Sequence, residues 1–258
     1  MTPPPRPPAR DLLQGRVVVI TASAGAGIGF ATALRMAEEG ATVVISDVHA
    51  RRLAASADQI EGTVGRRPVT VTCDVTNQAD VDGLLDAAVA AHGRVDVWVN
   101  NAGLGGTAAL VDMTDEAWSR VMDVTLGGTM RGTRAALRHM IPRGSGIVLN
   151  NASVLGWRAQ AGQSHYAAAK AGVMALTRCA AMEAAPFGVR VNAVSPSLAM
   201  HPFLEKVTDA ALLRALTERE AFGRAAEPWE VANVFVFLAS DLATYLTGEV
   251  LSVSAQHP

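Results

Sequence analysis

Short runs of β-branched residues alternate along the chain with longer segments whose apolar residues recur at helical spacing. Nearly every position in the short runs is apolar, which is typical of strands buried on both faces of a parallel sheet. Helical segments separate most of these runs, and that order favours parallel β-α-β units. The predicted strands are 17–20, 42–45, 69–72, 95–99, 146–149, 189–192 and 250–253.

The alternation continues from residue 15 to residue 255 without a linker or a shift in composition. We therefore predict one doubly wound α/β domain over 12–258. Residues 1–11 are rich in proline, which cannot donate to a helix or a central strand, so a flexible tail is expected there. Residues 198–224 break the alternation with apolar residues at helical spacing, including Phe203. They are either a helical lid over the carboxyl ends of the strands or ordinary surface helices.

Composition excludes several classes of function. The chain has 258 residues, 50% of them apolar, and a net charge of -2, which gives no attraction for nucleic acid or an anionic membrane. No apolar run approaches the roughly 20 residues that span a bilayer. Cys73 and Cys179 are far apart and have no metal-ligating neighbours, so no disulfide framework and no metal site are expected. We expect a cytoplasmic protein that acts on a small molecule.

A glycine-rich turn, 21–29, follows the first predicted strand and opens the first predicted helix. Glycines at this point let backbone N–H groups approach a pyrophosphate at the helix N-terminus. Asp47 ends the next strand, where a carboxylate accepts hydrogen bonds from ribose hydroxyls and repels a 2′-phosphate, so NAD is favoured over NADP. The basic residues His49, Arg51 and Arg52 are interpreted as a solvated helix start. The candidate phosphate-binding residues are Ser23, Gly25, Gly27, Ile28 and Gly29.

Tyr166 and Lys170 lie four residues apart in a predicted helix from His165 to about residue 185, so both side chains share one helix face. Ser153 follows the fifth predicted strand and is placed to reach the same crevice. A phenol with a pKa of about 10 is a poor base at neutral pH, but an adjacent ammonium favours the phenolate. The three residues therefore predict proton exchange with an alcohol or ketone. No Ser-His-Asp order or GxSxG turn surrounds His165, which disfavours a hydrolase.

Further motifs complete a recognisable set: Asp74-Val75, Asn100-Asn101-Ala102-Gly103 and the stretch 191–196. Together with the turn and Ser153, Tyr166 and Lys170, they resemble the short-chain dehydrogenase/reductase family from Gly15 to the C-terminus. The resemblance implies a Rossmann sheet of seven parallel strands and a homotetramer or homodimer. It also implies that Ser153 binds the substrate oxygen and that Tyr166 exchanges the proton. Cofactor contacts are implied for Asp74, Val75, Asn101, Tyr166, Lys170, Pro196 and Ala199.

Three features depart from the family pattern: the glycine turn, the relay position and the loop after Pro196. Ala22 replaces the glycine after Thr21, and the turn is one residue longer. Thr125 stands where many members have an asparagine that holds a proton-relay water, and its hydroxyl is expected to bind that water as a fourth catalytic residue. Ser197 replaces a glycine after Pro196, and the threonine that contacts the carboxamide region falls near His201.

The stretch 150–160 and the ending 254–258 resemble a narrower group, the steroid-degradation dehydrogenases of actinobacteria, notably those that oxidise a hydroxylated indane-propanoyl-CoA. That resemblance implies oxidation of a ring alcohol on a CoA thioester. Arg158 would then bind CoA phosphates or remain an exposed helix charge. Two alternatives within the family are a 3-oxoacyl thioester reductase and a hydroxysteroid dehydrogenase. A non-catalytic NAD-binding module is the alternative from another class, favoured by Thr125 and Ser197.

Overall fold

The computed structural model describes residues 2–202, 204 and 209–255. Its centre is a parallel sheet with the strand order β3-β2-β1-β4-β5-β6-β7. Val18 of β1 pairs with Val43 of β2 on one side and with Val97 of β4 on the other, so the strand order reverses at β1. The strands are β1 Val17–Ile20, β2 Thr42–Asp47, β3 Val69–Thr72, β4 Val97–Asn100, β5 Gly146–Asn151, β6 Val189–Pro196 and β7 Val250–Val253.

Helices connect the strands and cover both faces of the sheet. Asn77 caps the third helix by accepting a hydrogen bond from the Ala79 N–H at 2.9 Å, and Gly65 and Gly93 end the second and third helices in the left-handed conformation. A π-helical turn, Asp123–Gly127, joins the fourth and fifth helices. The helices are α1 Ile28–Glu38, α2 Ala50–Val64, α3 Gln78–His92, α4 Asp115–Met122, α5 Gly128–Met140, α6 Ser164–Ala184, α7 Ala210–Glu218 and α8 Pro228–Ala239.

The core is divided into two layers by the sheet. Val18 and Ile20 of β1 face the layer that contains α1 and α8, whereas Val19 faces the layer that contains α3 and α5. Every residue of β1 and of β4 is buried. This two-sided burial explains the near-continuous apolar runs, and the predicted single domain with a doubly wound seven-stranded parallel sheet is confirmed.

Several strands extend further towards their carboxyl ends than predicted. β5 includes Asn150 and Asn151, and β6 continues to Pro196. These polar positions are buried because their side chains find partners within the sheet: the Asn100 amide, for example, donates to the Asn150 side-chain oxygen at 2.9 Å. Apolar patterning does not reveal a strand residue of this kind.

The N-terminal segment lies against α1. Arg6 forms an ion pair with Glu38 at 2.6 Å, and the N–H groups of Arg10 and Leu12 donate to the buried carboxylate of Glu39 at 2.9 and 3.1 Å. A further ion pair of 2.6 Å joins Glu39 to Arg35. The flexibility of 1–11 stays a prediction.

The segment 198–224 contains α7, whose Leu213 is buried. The N–H of Met200 donates to the carbonyl of Ala226 at 3.0 Å, and Ala226 donates to Leu198 at 2.8 Å. Phe203 of this segment and residues 256–258 of the chain ending lie outside the described residues, and the lid stays a prediction. In the part of the chain that the structure describes, no helix combines the length and apolar character needed to cross a bilayer.

Candidate active site

The candidate site lies at the carboxyl edge of the sheet, where β1 and β4 are neighbours. The connections that leave these two strands diverge, which opens a crevice of the kind that binds ligands in doubly wound folds. The glycine turn after β1 forms one side of this crevice. Ser153, which follows β5, and Tyr166 and Lys170 on α6 form the other.

Backbone conformation explains the glycines of the turn. Gly25 has φ +93°, and Ala22 also lies in the left-handed region at φ +49°, although it carries a side chain. A Cβ on Gly29 would collide with the Asn101 side chain and the Ala22 carbonyl, whereas one on Gly27 would meet open space. Gly27 precedes α1, and no side chain caps that helix, so the N–H groups of its first turn are directed to the crevice.

Ser23 supports the turn from beneath. Its hydroxyl is fully buried and donates to the Ile20 carbonyl at 3.0 Å, while the Ser46 N–H donates to the hydroxyl at 3.1 Å. The Ser23 N–H donates in turn to the Ser46 carbonyl at 2.9 Å. These bonds fasten the ends of β1 and β2 to each other and disfavour the phosphate contact predicted for Ser23. At Gly25 the N–H donates to the Ser56 hydroxyl at 2.9 Å.

Asp47 is at the end of β2 with only 7% of its surface exposed. Its carboxylate accepts hydrogen bonds from backbone N–H groups of Ala24 and of the chain that follows the strand, including His49 at 2.9 Å. Burial raises the pKa of Asp47, and Arg52, 3.7 Å away, opposes that rise. The carboxylate is therefore fixed beside the turn, at the position predicted for ribose recognition.

Two other predicted cofactor contacts follow β3. Asp74 is exposed and accepts hydrogen bonds from the Thr76 N–H at 2.9 Å and the Thr76 hydroxyl at 2.7 Å, which fixes the start of the connection to α3. Val75 is buried, and a Cβ on Gly128 of α5 would press into its side chain. This pair therefore lines the same edge of the sheet as Asp47.

The predicted catalytic residues are brought together. Burial raises the pKa of the Tyr166 phenol, and a side-chain hydrogen bond with Ser153 opposes that shift. The Lys170 ammonium lies 5.5 Å from the centre of the Tyr166 ring and is 2% exposed. Burial also lowers the pKa of Lys170 to about 7. The two titratable groups therefore lie close together in a poorly solvated part of the crevice.

Thr125 lies in the π-helical turn and is fully buried. Its hydroxyl accepts a hydrogen bond from the Leu104 N–H at 3.0 Å and donates to the Leu104 carbonyl at 3.2 Å. Its own carbonyl accepts a hydrogen bond from the Thr129 hydroxyl at 2.7 Å. The one hydroxyl proton of Thr125 is therefore directed to the loop after β4, which disfavours the predicted role of this hydroxyl in a water relay.

Asn101 and Asn151 join the two sides of the crevice. The Asn101 amide donates to the Ala22 carbonyl at 2.8 Å and to the Thr21 carbonyl at 3.2 Å. The Asn151 amide donates to the Asn101 side-chain oxygen at 2.9 Å, and the Asn151 main-chain carbonyl accepts from Lys170 Nζ at 2.6 Å. Asn101 was predicted to line the cleft, but a role for Asn151 was missed. The sequence signal for Asn151 was the pair Asn150-Asn151 at the end of a strand, which repeats the pair Asn100-Asn101 at the end of the preceding strand.

The loop after β6 contributes backbone contacts. Pro196 is the last residue of β6, and the Ser197 N–H donates to the Val253 carbonyl at 3.0 Å. Ala199 is buried and forms an isolated parallel bridge with Ala226. The Ser197 hydroxyl donates to the buried Glu220 carboxylate at 3.3 Å. Pro196 and Ala199 therefore lie where the chain leaves the edge of the sheet.

The residues present fit a dinucleotide. The uncapped N-terminus of α1 suits a pyrophosphate, Gly29 allows close packing of the turn, and the Asp47 carboxylate suits ribose hydroxyls. In addition, the Asn151 Oδ1 is buried without a hydrogen-bond partner among the described residues. Such an acceptor at a crevice is a feature of a binding surface.

Comparison with known proteins decides the family. A family profile described as enoyl-(acyl carrier protein) reductase matches residues 22–255. A crystal structure of a short chain dehydrogenase from Mycobacterium smegmatis is 55% identical, with a TM-score of 0.87, and covers 99% of this chain and 98% of that one. The chain belongs to the short-chain dehydrogenase/reductase family. It is an oxidoreductase that acts on CH–OH or C=O groups, as this family does.

Relatives of this short-chain dehydrogenase/reductase include enzymes for thioesters. A Mycobacterium tuberculosis protein named (5R,7aS)-5-hydroxy-7a-methyl-1-oxo-2,3,5,6,7,7a-hexahydro-1H-indene-carboxyl-CoA reductase is 62% identical over 249 residues, which are 96% of this chain and 95% of that protein. A 3-oxoacyl-acyl-carrier-protein reductase from Thermotoga maritima is 40% identical over 241 residues, 93% and 97% of the two chains. The expected resemblance to the steroid-degradation group is confirmed.

Proposed function

We propose that this protein is an NAD-dependent dehydrogenase/reductase that interconverts a ring secondary alcohol and a ketone on a bulky CoA thioester from steroid degradation. The observation that carries the proposal is the assembly of Ser153, Tyr166 and the buried Lys170 at the edge of a dinucleotide-type crevice. The relative that is 62% identical is named for an indene-carboxyl-CoA substrate, which supports the same class of substrate here.

The chain's own residues account for the proton and for the position of the substrate. The Ser153 hydroxyl holds the substrate oxygen, and the Tyr166 phenolate takes the alcohol proton as the C–H bond breaks. The chemistry that a bound NAD would supply is a positively charged ring that takes up the hydride released from that C–H bond. In the reverse direction the Tyr166 phenol returns the proton to the oxygen of the ketone.

Lys170 sets the charge of the site. Its ammonium lies beside the Tyr166 ring, so it favours the phenolate over the phenol. It also donates to the Asn151 carbonyl at 2.6 Å, which directs the side chain along the crevice, where it would hold the nicotinamide ribose. Burial opposes both charged forms. The positive ring of a bound cofactor would favour the phenolate.

Asp47 supports NAD over NADP. Its carboxylate is buried and fixed by backbone hydrogen bonds, so it has little freedom to move away from a 2′-phosphate. Arg52 is half exposed and lies 3.7 Å from that carboxylate. This ion pair neutralises part of the attraction that Arg52 would offer to a phosphate. NADP is therefore the less favoured cofactor.

Arg158, in the connection between β5 and α6, is proposed to contribute to binding of the CoA phosphates. We further propose a cytoplasmic enzyme that forms a homotetramer or homodimer and has no nucleic-acid or membrane partner. Exposed apolar side chains support association: Val111 is 92% exposed just before α4, and Met182 is 78% exposed on α6.

The test is formation of NADH by the purified protein, measured by absorbance, with a panel of alcohols. The panel contains a hydroxylated indane-propanoyl-CoA, the corresponding free acid, 3-hydroxyacyl-CoAs and hydroxysteroids, each with NAD and with NADP. Turnover of the indane thioester with NAD, faster than that of the free acid, is the expected result. Turnover with NADP alone would contradict the assignment of Asp47.

Two other outcomes correspond to alternative functions. Faster turnover of 3-hydroxyacyl-CoAs would favour a 3-oxoacyl thioester reductase, an activity named for the Thermotoga maritima relative, and faster turnover of hydroxysteroids would favour a hydroxysteroid dehydrogenase. Binding of NAD without turnover of any substrate would favour a non-catalytic binding module. The Tyr166 phenol beside the Lys170 ammonium argues against the module, because a protein that only binds NAD has no need of a proton acceptor at that position.

A further inference from the structure

Asn151 occupies an unusual place between the catalytic and the cofactor-binding sides of the crevice. Its main-chain carbonyl accepts the hydrogen bond of Lys170 Nζ at 2.6 Å. Its side-chain amide donates to the Asn101 oxygen at 2.9 Å, and the Asn101 amide donates to the Ala22 carbonyl in the glycine turn at 2.8 Å. A continuous chain of polar contacts therefore runs from Lys170 on α6, across β5 and β4, to the turn after β1.

This chain of contacts begins where the backbone ladder stops. The pairing of β4 with β5 ends at Asn100 and Asn150, and beyond it the Asn101 N–H turns away from β5 and donates to the Thr21 hydroxyl at 2.9 Å. On the other side of β5, the Ala152 N–H donates to the Val194 carbonyl at 2.7 Å and keeps that strand attached to β6. The Asn151 side-chain amide, which donates to the Asn101 side chain, continues the β4–β5 connection beyond the last paired residues.

Stability alone does not account for this amide. The Asn100 amide bonds to Asn150 and to Thr133 on α5, and the Asn150 amide bonds to Thr177 on α6. Asn151 Oδ1, by contrast, is buried without a partner among the described residues. An unsatisfied buried acceptor costs about 1–3 kcal/mol, which offsets much of what the bond to Asn101 contributes. The remaining reason for the amide is the geometry that it imposes on the crevice.

We propose that Asn151 is a positioning residue whose side-chain amide fixes the distance between the Lys170-binding carbonyl and the glycine turn. This inference rests on the proposed function, because a dinucleotide is the ligand that must reach both places at once. Its pyrophosphate would be held by the turn, and its nicotinamide ribose would be held by Lys170. Loss of the amide would leave each place intact but would remove the preorganised spacing between them, which weakens only ligands that span both.

The experiment compares a ligand that reaches both the glycine turn and Lys170 with a ligand that reaches only the turn. ADP carries the adenosine and pyrophosphate groups without the nicotinamide ribose, and NADH carries both halves. Dissociation constants of both are measured by isothermal titration calorimetry for the native protein, Asn151→Leu and Asn151→Ser. Leucine matches the shape of asparagine without polar atoms, and serine is too short to reach Asn101. We expect NADH affinity to fall about tenfold in both variants and ADP affinity to change less than twofold.

Asn192→Leu is the matched control. Asn192 is a fully buried amide on β6 that donates to the Leu246 carbonyl at 2.8 Å and accepts from the Glu249 N–H at 3.0 Å, away from Lys170 and the turn. Its loss should lower the melting temperature without a selective loss of NADH. If Asn151→Leu does not fold, Asn151→Ser decides the question.

Two results would overturn the role of Asn151. Unchanged NADH affinity in a folded variant would make the amide merely structural, and an equal loss of NADH and ADP affinity would show that it supports only the turn. Failure of the native protein to bind NADH or NADPH would instead contradict the proposed function, so the two failures are distinguishable.

Discussion

The Thr125 hydroxyl and the Leu104 backbone form a reciprocal pair: the hydroxyl accepts from the Leu104 N–H at 3.0 Å and donates to the Leu104 carbonyl at 3.2 Å. This pair fastens the loop after β4 to the π-helical turn. Because the loop continues past Gly105, where a Cβ would contact the Tyr166 ring, the position of Thr125 affects the wall of the crevice.

Thr125→Val should destabilise the protein by about 1–3 kcal/mol, because both Leu104 backbone groups lose their partner without a change in side-chain shape. Thr125→Ser keeps the hydroxyl and should retain most of that stability. Urea unfolding measures the difference, and substrate KM is expected to rise more than kcat falls in the valine variant. A loss of kcat with unchanged stability and KM would instead support the water relay.

Tyr166→Phe should lower kcat by at least a hundredfold, since the proton acceptor is removed, while the dissociation constant of NADH changes less than threefold. Tyr245→Phe is the matched control, because Tyr245 is the other tyrosine of the two in the chain and is fully exposed. Steady-state kinetics and NADH fluorescence provide the two measurements. Retained turnover in Tyr166→Phe would reject the assignment of this residue.

Lys170→Met should abolish turnover and raise stability. Burial lowers the pKa of Lys170 from 10.5 to about 7, so between these values the unfolded chain binds more protons than the folded one and native stability rises with pH. Below pH 7 the lysine is charged in both states and the full desolvation cost applies. Methionine does not titrate, so its advantage should be largest at pH 6, on the order of 2 kcal/mol or more, and smaller at pH 9.

Calorimetric melting at pH 6 and pH 9 measures this difference between Lys170→Met and the native protein. Lys170→Arg keeps the charge and serves as the comparison, with no gain in stability expected at either pH. An advantage of methionine that is equal at the two pH values would show that burial does not control the titration of Lys170.

The variants Gly29→Ala and Gly27→Ala test two different properties of the glycine turn. The first tests its packing against the protein, and the second tests its contact with the cofactor. A Cβ at Gly29 collides with Asn101 and the Ala22 carbonyl, so that variant should lose about 1–3 kcal/mol of stability together with NADH binding. A Cβ at Gly27 meets open space in the protein and should leave stability within about 0.5 kcal/mol of native. Gly27 precedes the uncapped N-terminus of α1, where the pyrophosphate is expected, so the added methyl group should lower NADH affinity alone.

Asp47→Asn should increase the use of NADP relative to NAD. Burial raises the pKa of Asp47 above the unfolded value of 3.8, so the folded protein binds the carboxyl proton more tightly than the unfolded chain does. The free energy of unfolding therefore falls as the pH rises above 3.8 and the carboxyl group ionises. The neutral amide avoids that cost, and the variant should be at least as stable as the native protein at pH 7. The ratio of kcat/KM for the two cofactors and the melting temperature test both statements. An unchanged ratio would show that another group excludes NADP.

The sequence predicted the sheet well because burial on both faces leaves an unambiguous apolar pattern at strands such as Val17–Ile20. It also predicted the proximity of Tyr166 and Lys170, since helical spacing alone places them on one face. Partners distant in sequence were not predictable. The bonds of Thr125 to Leu104 and of Ser23 to Ser46 depend on how loops and strand ends meet, and no local pattern encodes those meetings.

The pairing of β1 with β4 also determines when the site is assembled during synthesis on the ribosome. The Val17 N–H donates to Asp96, 79 residues later, and the Asn101 N–H donates to the Thr21 hydroxyl, 80 residues away. The turn after β1 therefore emerges long before the strand that holds it in place, and closing so long a loop is slow. Until Asn101 has emerged, the nascent chain cannot form a complete binding crevice.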